Sequence, residues 1–143
     1  MKAPEPEVIM LDGNYLQAVR VGRWEYVRRK NTTGVVLIVA LTPANELIFV
    51  EQFRPPVQAR VIELPAGLAG DIAGQEHEGL GIAAARELEE ETGYRAGRIE
   101  ELTHGPVSAG LTSEVVTFFR AFDLERVSDG GGDASEDIQV HRI

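Results

Sequence analysis

The chain has 143 residues, a formal net charge of −9 at pH 7 and no cysteine. This length suits a single domain with a sizeable hydrophobic core, and the lack of cysteine excludes disulfides and thiolate zinc sites and favours a reducing compartment such as the cytoplasm. The negative charge argues against nucleic acid as the main partner, and the absence of any run of about eighteen apolar residues argues against a membrane span.

The N-terminal part contains two short predicted strands after an unpatterned start. Residues 1–8 contain two prolines and little periodicity, which predicts a loose arm. Residues 15–21 and 24–29 are predicted as strands joined around Gly22. Trp24 is the only tryptophan, and taken alone it is more simply a packing aromatic than a ligand contact.

Two apolar runs follow and predict a hairpin. Residues 35–41 and 47–53 read as buried strands, and we expect the pair to lie in a sheet covered on both faces. Arg54 ends the second strand, immediately before two prolines that stiffen the backbone. It is either an ordinary surface arginine or a phosphate clamp, because a guanidinium fork matches phosphate oxygens.

A helix is predicted near the middle of the chain. Residues 60–64 read as a strand, and the Gly, Asp and Gln content of residues 70–77 predicts a lengthened surface loop. Apolar residues then recur at spacings of three and four, which predicts a helix over residues 80–92 with one face on the core. Gly93 is placed to end this helix as a left-handed cap.

The acidic face of this helix has two interpretations. Glu87 and Glu91 lie one turn apart with Glu90 beside them, and Arg86 can pair with Glu90. Like charges at that spacing weaken an isolated helix by about 0.2–0.5 kcal/mol per pair. Composition alone leaves open a solvated acidic face and a carboxylate cluster that binds a hard divalent cation.

The C-terminal part adds strands and loops to the predicted sheet. Residues 98–102 read as a short strand, 104–110 as a loop and 112–122 as an apolar strand. Residues 128–135 are rich in Gly and Asp, which predicts a mobile loop, and 138–143 alternate like a strand. A mixed sheet with one well-formed helix predicts an α/β or α+β sandwich, with residues 1–143 as one domain.

The segment from Glu78 to Tyr94 resembles the second half of the Nudix box, E-x7-R-E-U-x-E-E-x-G-U with U apolar, and it meets every fixed position. The first half departs from the box, because Ile72 stands where the family has glycine. Gly67 is the nearest equivalent, which leaves about five extra residues before Glu78. Longer loops cost little closure entropy, about 0.6 kcal/mol per doubling.

The resemblance extends beyond the box. The segments WEYVRR, VEQFRPP, IELPAGL and SAGLTSE occur in the order typical of the ADP-ribose and nucleoside-diphosphate-sugar pyrophosphatases of the Nudix family. That branch implies a Nudix-type α/β/α sandwich with a mixed β-sheet. It also implies a homodimer and Mg²⁺-dependent hydrolysis, with Mn²⁺ as a substitute, of a diphosphate sugar to a nucleoside monophosphate and a sugar phosphate.

The resemblance also implies roles for individual residues. It assigns metal binding to Glu87, Glu90, Glu91 and the carbonyl of Ala66. It assigns adenine stacking to Trp24, across a dimer with exchanged N-terminal strands. Arg29 and Arg54 are expected to contact the phosphates and the terminal sugar, and Glu114 is expected to lie near the substrate. Relatives orient the attacking water with a carboxylate on the loop before the last strand, which here offers Asp133, Glu136 and Asp137. Glu136 is our prediction for the general base, Glu114 is the competing candidate, and Glu90 is counted with the catalytic groups.

Alternatives to this reading remain open. Ala109 replaces a proline associated with ADP-ribose preference, so GDP-mannose, a dinucleoside polyphosphate or an oxidised nucleoside triphosphate are other substrates to consider. The rival from another class is a Nudix-fold module that binds a nucleotide without cleaving it. Relatives usually continue with a C-terminal helix beyond the strand that ends here at Ile143, so we expect a truncated form or a differently closed sheet.

Overall fold

The computed structural model describes residues 5–143, and ten strands and one α-helix lie in that range. In chain order they are β1 (Glu7–Asp12), β2 (Leu16–Val21), β3 (Trp24–Arg29), β4 (Gly34–Ala40), β5 (Ile48–Arg54), β6 (Ala59–Glu63), β7 (Ala66–Ala69), α1 (Leu80–Thr92), β8 (Tyr94–Pro106), β9 (Val115–Arg126) and β10 (Gln139–Arg142). A short 3-10 turn at Pro55–Val57 links β5 to β6. None of the helices in residues 5–143 has the length and hydropathy of a membrane span.

The strands form three sheets. A four-stranded mixed sheet has the order β7-β4-β9-β8, in which β4 and β9 are parallel. Antiparallel three-stranded sheets contain β10-β5-β6 and the N-terminal meander β1-β2-β3. This mixed α+β architecture confirms the predicted class, with one α-helix in the described part of the chain.

The core lies between α1 and the two sheets that contain β4 and β5. Val36, Ile38 and Ala40 of β4 are fully buried because alternate side chains of a strand point to one face. Leu88 of α1 and Ile48 of β5 are also fully buried in this cluster. The predicted helix bounds are confirmed, and Gly93 adopts a left-handed φ of 77° as predicted.

The N-terminal prediction is partly wrong. Residues 1–4 lie outside the described part of the chain, but β1 begins at Glu7, inside the predicted loose arm. Glu7 pairs with Val21 in the sheet register, and Arg28 donates hydrogen bonds to its carboxylate. These partners on β2 and β3 order a segment whose prolines indicated disorder, whereas the strands predicted over 15–21 and 24–29 are confirmed.

The predicted hairpin of β4 with β5 is wrong, although both strands exist. A single bridge between Leu41 and Leu47 joins the ends of the two strands. β4 instead lies between β7 and β9, and β5 lies between β10 and β6. An apolar run does not specify its partner strands, so β4 and β5 can each occupy the centre of a different sheet while both contribute to the same core.

The long β8–β9 hairpin also differs from the prediction. β8 runs from Tyr94 to Pro106 and includes the first three residues of the segment predicted as a loop at 104–110. Most of its residues are exposed, so the strand lacks the apolar alternation that reveals a strand in sequence. Its order comes from antiparallel pairing with β9, which is shifted toward the C-terminus of the predicted 112–122.

Candidate active site

A cavity of about 540 Å³ opens where the acidic face of α1 meets β7, the end of β5 and the loop before β10. Seven of the nine predicted site residues line it: Arg29, Arg54, Ala66, Glu87, Glu90, Glu91 and Glu136. The structure therefore brings together residues that are as much as 107 positions apart in the chain, from Arg29 to Glu136. Trp24 and Glu114 lie outside this lining.

Glu91 is the most deeply buried carboxylate of the cavity, with only 4% of its surface exposed. The backbone N–H of Ala66 donates a hydrogen bond of 3.1 Å to Glu91 Oε2. Burial raises the pKa of Glu91 from its ordinary 4.5 to about 8 against the effect of that hydrogen bond, and the charges of Glu87 and Glu136 add to the rise while Arg54 opposes it.

Glu87 lies one turn before Glu91 on α1 and is less deeply buried than Glu91. Burial raises its pKa to about 7, Arg86 opposes the rise, and the charges of Glu90 and Asp71 add to it. Strand β7 passes so close that a Cβ on Gly67 would lie 2.0 Å from Glu87 Cδ. Glycine at this position therefore leaves room for the Glu87 side chain beside the strand.

Arg86 organises the base of the cavity. Its Nε and Nη2 donate to the two carboxylate oxygens of Glu78 at 2.9 and 3.1 Å, and Nη2 also donates to the Leu68 carbonyl at 3.1 Å. Nη1 donates to Glu87 at 3.0 Å and to Glu90 at 3.3 Å, which includes the predicted i,i+4 pair. The Arg86 guanidinium lowers the pKa of Glu78, and the pair ties the end of the inserted loop to the helix.

The donor groups fit a hard divalent cation, although they are not assembled around one. Over residues 5–143, no group of three or more His, Asp or Glu side chains converges as a ready metal centre. Glu87 and Glu90 turn toward Arg86, and Glu91 faces the Ala66 amide. Glu91 is buried and Glu87 is partly buried, burial raises the pKa of both, and carboxylate oxygens are the ligands that such cations prefer.

Both predicted arginines are held by carboxylates at the cavity. Arg54 Nε donates to Glu63 at 2.8 Å, and Arg29 Nε donates to Glu114 at 2.6 Å. Glu114 therefore does not line the cavity itself, but it contacts Arg29, which does. Each guanidinium retains further N–H donors for an anion, because its fork carries five.

Trp24 is exposed over 58% of its surface, which excludes a core-packing role. It lies on a separate depression of about 330 Å³ with Val21, Tyr26 and the segment around Gly110. The structure thus places the tryptophan apart from the carboxylates of its own chain.

The cavity also contains residues that sequence reasoning did not single out. Asp71 and Ile72 come from the inserted loop, and Gln52 and Leu68 come from β5 and β7. Asp71 follows Gly70, whose φ of +73° turns the chain at the end of β7. The signal available in the sequence was the insertion itself, since it lies directly before the acidic helix.

Comparison with known proteins identifies the family. A family model described as the NUDIX domain matches residues 31–140 of the chain. The chain belongs to the Nudix family. This confirms the resemblance drawn from the box, and α1 is accordingly the Nudix helix.

Curated relatives of this Nudix chain include two from Bacillus. The chain is 40% identical over 91 residues to an ADP-ribose pyrophosphatase of Bacillus subtilis (strain 168), covering 64% of this chain and 46% of that protein. It is 33% identical over 99 residues to a methanol dehydrogenase activator of Bacillus methanolicus, covering 69% of this chain and 51% of that protein. The chain thus spans about half the length of the curated relatives it matches.

A solved structure supports the Nudix fold. A crystal structure described as an ADP compounds hydrolase superposes with a TM-score of 0.77 at 22% identity, and the match covers 99% of this chain and 78% of that one. At this identity the likeness concerns the fold, and it confirms the predicted Nudix fold.

Proposed function

We propose that this Nudix domain hydrolyses the pyrophosphate linkage of ADP-ribose or a related nucleoside diphosphate sugar, releasing a nucleoside monophosphate and a sugar phosphate. The observation that carries the proposal is the shared cavity, whose lining combines three carboxylates with two arginines: Glu87, Glu90, Glu91, Arg29 and Arg54. Carboxylates beside arginines suit a substrate that carries both phosphate charge and bound cations. The ADP-ribose pyrophosphatase among the relatives supports the substrate class.

The metal-binding residues in this proposal are Glu87, Glu90, Glu91 and the carbonyl of Ala66. A bound Mg²⁺, or Mn²⁺ in its place, neutralises phosphate charge and activates water for attack on phosphorus. To hold the cation, Glu87 and Glu90 would turn from Arg86 toward the cavity, and its positive charge would favour the ionised forms of Glu87 and Glu91. The two raised pKa values support this role, because carboxylates buried without full compensation favour a nearby cation.

The arginines and a loop carboxylate complete the proposed chemistry. Arg29 and Arg54 bind phosphate oxygens and stabilise the charge that develops on them. Glu136 accepts a proton from the attacking water, and its place in the cavity lining supports this choice over Glu114, which is engaged with Arg29 at the rim. Glu90 is both a metal ligand and one of the catalytic residues in this proposal.

We further propose that the domain acts as a homodimer in the cytoplasm, without nucleic-acid or membrane partners. In the dimer, Trp24 stacks on the adenine of a substrate bound with the partner subunit. Exposed apolar side chains on the N-terminal meander support the dimer: Val8 at 43%, Ile9 at 48%, Met10 at 47% and Leu11 at 59% exposure. The cysteine-free sequence supports the cytoplasmic location, and the net charge of −9 supports the lack of a nucleic-acid partner.

A substrate panel tests the proposal. The purified protein is incubated with Mg²⁺ and each of ADP-ribose, GDP-mannose, a dinucleoside polyphosphate and an oxidised nucleoside triphosphate, and a phosphatase releases phosphate from any monoester product. We expect the highest kcat/KM for a nucleoside diphosphate sugar. Tight binding of these compounds with no Mg²⁺-dependent phosphate release would instead identify a nucleotide-binding module.

A further inference from the structure

The loop before β10 is docked on the end of the Nudix helix. We call residues 128–137 the glycine loop. The N–H of Gly131 donates to the Glu91 carbonyl at 2.8 Å, and the N–H of Gly132 donates to the Glu90 carbonyl at 3.0 Å. The last carbonyls of a helix have no partner within the helix, so this loop satisfies two of them. Both belong to residues of the carboxylate cluster.

The loop contains three consecutive glycines with left-handed backbone conformations, and at Gly130 and Gly132 a side chain would also clash with its surroundings. Gly130, Gly131 and Gly132 have φ values of +70°, +106° and +79°, a region that glycine adopts without strain. A Cβ on Gly130 would lie 2.5 Å from the backbone carbon of Thr92. A Cβ on Gly132 would lie 2.2 Å from Glu136 Oε2, so this glycine also makes room for the carboxylate.

A single turn after the glycines holds Glu136. Its Oε2 accepts a hydrogen bond from the Asp133 N–H at 2.8 Å. Asp133 Oδ1 in turn accepts from the Ser135 N–H at 2.7 Å and from its hydroxyl at 2.6 Å. Asp133 and Glu136 thus cap the same turn reciprocally, as in a capping box. Both residues line the cavity.

The far end of the glycine loop is clamped by Arg60 of β6. Arg60 Nη1 donates to Asp137 Oδ2 at 2.9 Å, and Nη2 donates to the Asp137 carbonyl at 3.3 Å. The same guanidinium is oriented by Glu51 of β5, whose Oε1 accepts from Arg60 Nε at 2.7 Å. The other Glu51 oxygen is 2.7 Å from His141 Nε2 on β10, so three strands fix the position of this arginine.

We propose that Arg60 and Gly132 are positioning residues that brace the glycine loop on either side of Glu136 and thereby present Glu136 to the attacking water. The inference rests on the proposed function and deepens it. Although its composition predicts mobility, the loop is held by hydrogen bonds at Glu90, Glu91 and Asp137, and a rotation of the Glu136 side chain would exchange the Asp133 amide for water. Without Arg60 the loop keeps its helix-capping bonds but loses the clamp one residue after Glu136. The base is then presented less often, while the arginines and glutamates that bind substrate and metal are untouched.

The test compares Arg60→Gln with a matched control, Arg98→Gln. Arg98 pairs with Glu100 on exposed strand β8, away from the cavity lining. We expect Arg60→Gln to lower kcat about five- to tenfold, a fraction of the roughly 10²–10⁴-fold that a positioned base contributes. KM should stay within about twofold of the wild-type value, and the control should match wild type. Arg60→Lys should recover part of the loss, because it restores the charge without the fork.

A double-mutant cycle separates positioning from a general structural effect. If Arg60 acts through Glu136, Arg60→Gln should lower kcat little further in a Glu136→Gln background. An equal loss in both backgrounds, or no loss in either, would overturn the proposed brace. Gly132→Ala should behave like Arg60→Gln in the same cycle, since its Cβ displaces the Glu136 carboxylate. An inactive wild-type protein would refute the proposed function instead, so the two failures are distinguishable.

Discussion

At the scale of single residues, Glu91 shows how the cavity depends on charge. Its folded-state pKa of about 8 lies above its ordinary 4.5, so folding favours the protonated form. The stability that this group contributes is therefore complete below pH 4.5 and is lost as the pH rises through about 8. In a chelator, the free energy of unfolding should fall with pH by up to about 1.4 kcal/mol per unit for this one group.

Glu91→Gln should remove that part of the pH dependence. In EDTA the variant should unfold at higher denaturant than wild type at pH 9, and the difference should shrink toward pH 5, where the buried carboxyl of the wild-type protein is protonated. Glu89→Gln on the same helix is the control, because Glu89 pairs with Arg95 at the surface. An unchanged pH dependence of stability in Glu91→Gln would show that Glu91 is not the buried titrating group.

The choice of general base is a second residue-scale prediction. Glu136→Gln should lower kcat by about 10²–10⁴-fold and leave KM nearly unchanged, because it removes the proton acceptor and no contact with the phosphates. If Glu114→Gln shows this pattern and Glu136→Gln is close to wild type, then Glu114 is the general base and our assignment of Glu136 is wrong.

Trp24 provides a third residue-scale prediction. Since it is largely exposed, Trp24→Ala should cost little stability, whereas truncating the fully buried Leu88 should cost about 2–5 kcal/mol. The KM for adenine diphosphate sugars should rise because the stacking surface is lost. A large drop in melting temperature together with an unchanged KM would return Trp24 to a packing role.

At the scale of elements, the sequence predicted those parts whose local pattern is unambiguous. The apolar period and Gly93 determined α1 to the residue. The same reasoning missed β7, which is only four residues long and contains three small residues, and it shortened β8, whose residues are mostly exposed. The sheet to which β4 or β5 belongs depends on pairing with strands far away in the chain, and two similar apolar runs do not specify those partners.

The candidate site was predictable for a related reason. Glu87, Glu90 and Glu91 share one helix, so spacing alone brings them together. Arg29, Arg54 and Glu136 were assigned by resemblance, and long-range folding brings them to the cavity. Asp71 could not be placed, because the course of an inserted loop depends on contacts beyond its own sequence.

The close passage of β7 beside α1 gives an element-scale prediction. Gly67→Ala should push the Glu87 side chain out of its position, since the added Cβ would overlap its carboxyl group. The Mg²⁺ concentration for half-maximal activity should rise by on the order of tenfold, as for other changes that displace a ligand indirectly. Gly105→Ala is the control, because a Cβ there meets no atom within 4 Å. Equal Mg²⁺ requirements for the two variants would contradict a metal role for Glu87.

At the scale of the whole molecule, the N-terminal meander predicts self-association. Leu11 of β1 is 59% exposed, and Tyr15, in the turn between β1 and β2, is 78% exposed. Burying them against a second copy would stabilise a symmetric dimer. Sedimentation at micromolar concentration should show a dimer, and Leu11→Glu should shift it toward monomer and raise KM through the loss of the partner's Trp24. A wild-type protein that sediments only as a monomer would contradict this prediction.

The proposed hydrolytic activity of the domain is tested most directly by identifying the products formed from ADP-ribose. Chromatography of reactions with Mg²⁺ or with EDTA, for the wild-type protein and Glu91→Gln, gives the products and their metal dependence together. We predict equal amounts of AMP and ribose phosphate from the wild-type protein with Mg²⁺, and intact ADP-ribose in the other three reactions. Equal turnover by Glu91→Gln, or product formation that is unaffected by EDTA, would contradict catalysis by a cation held on the Nudix helix.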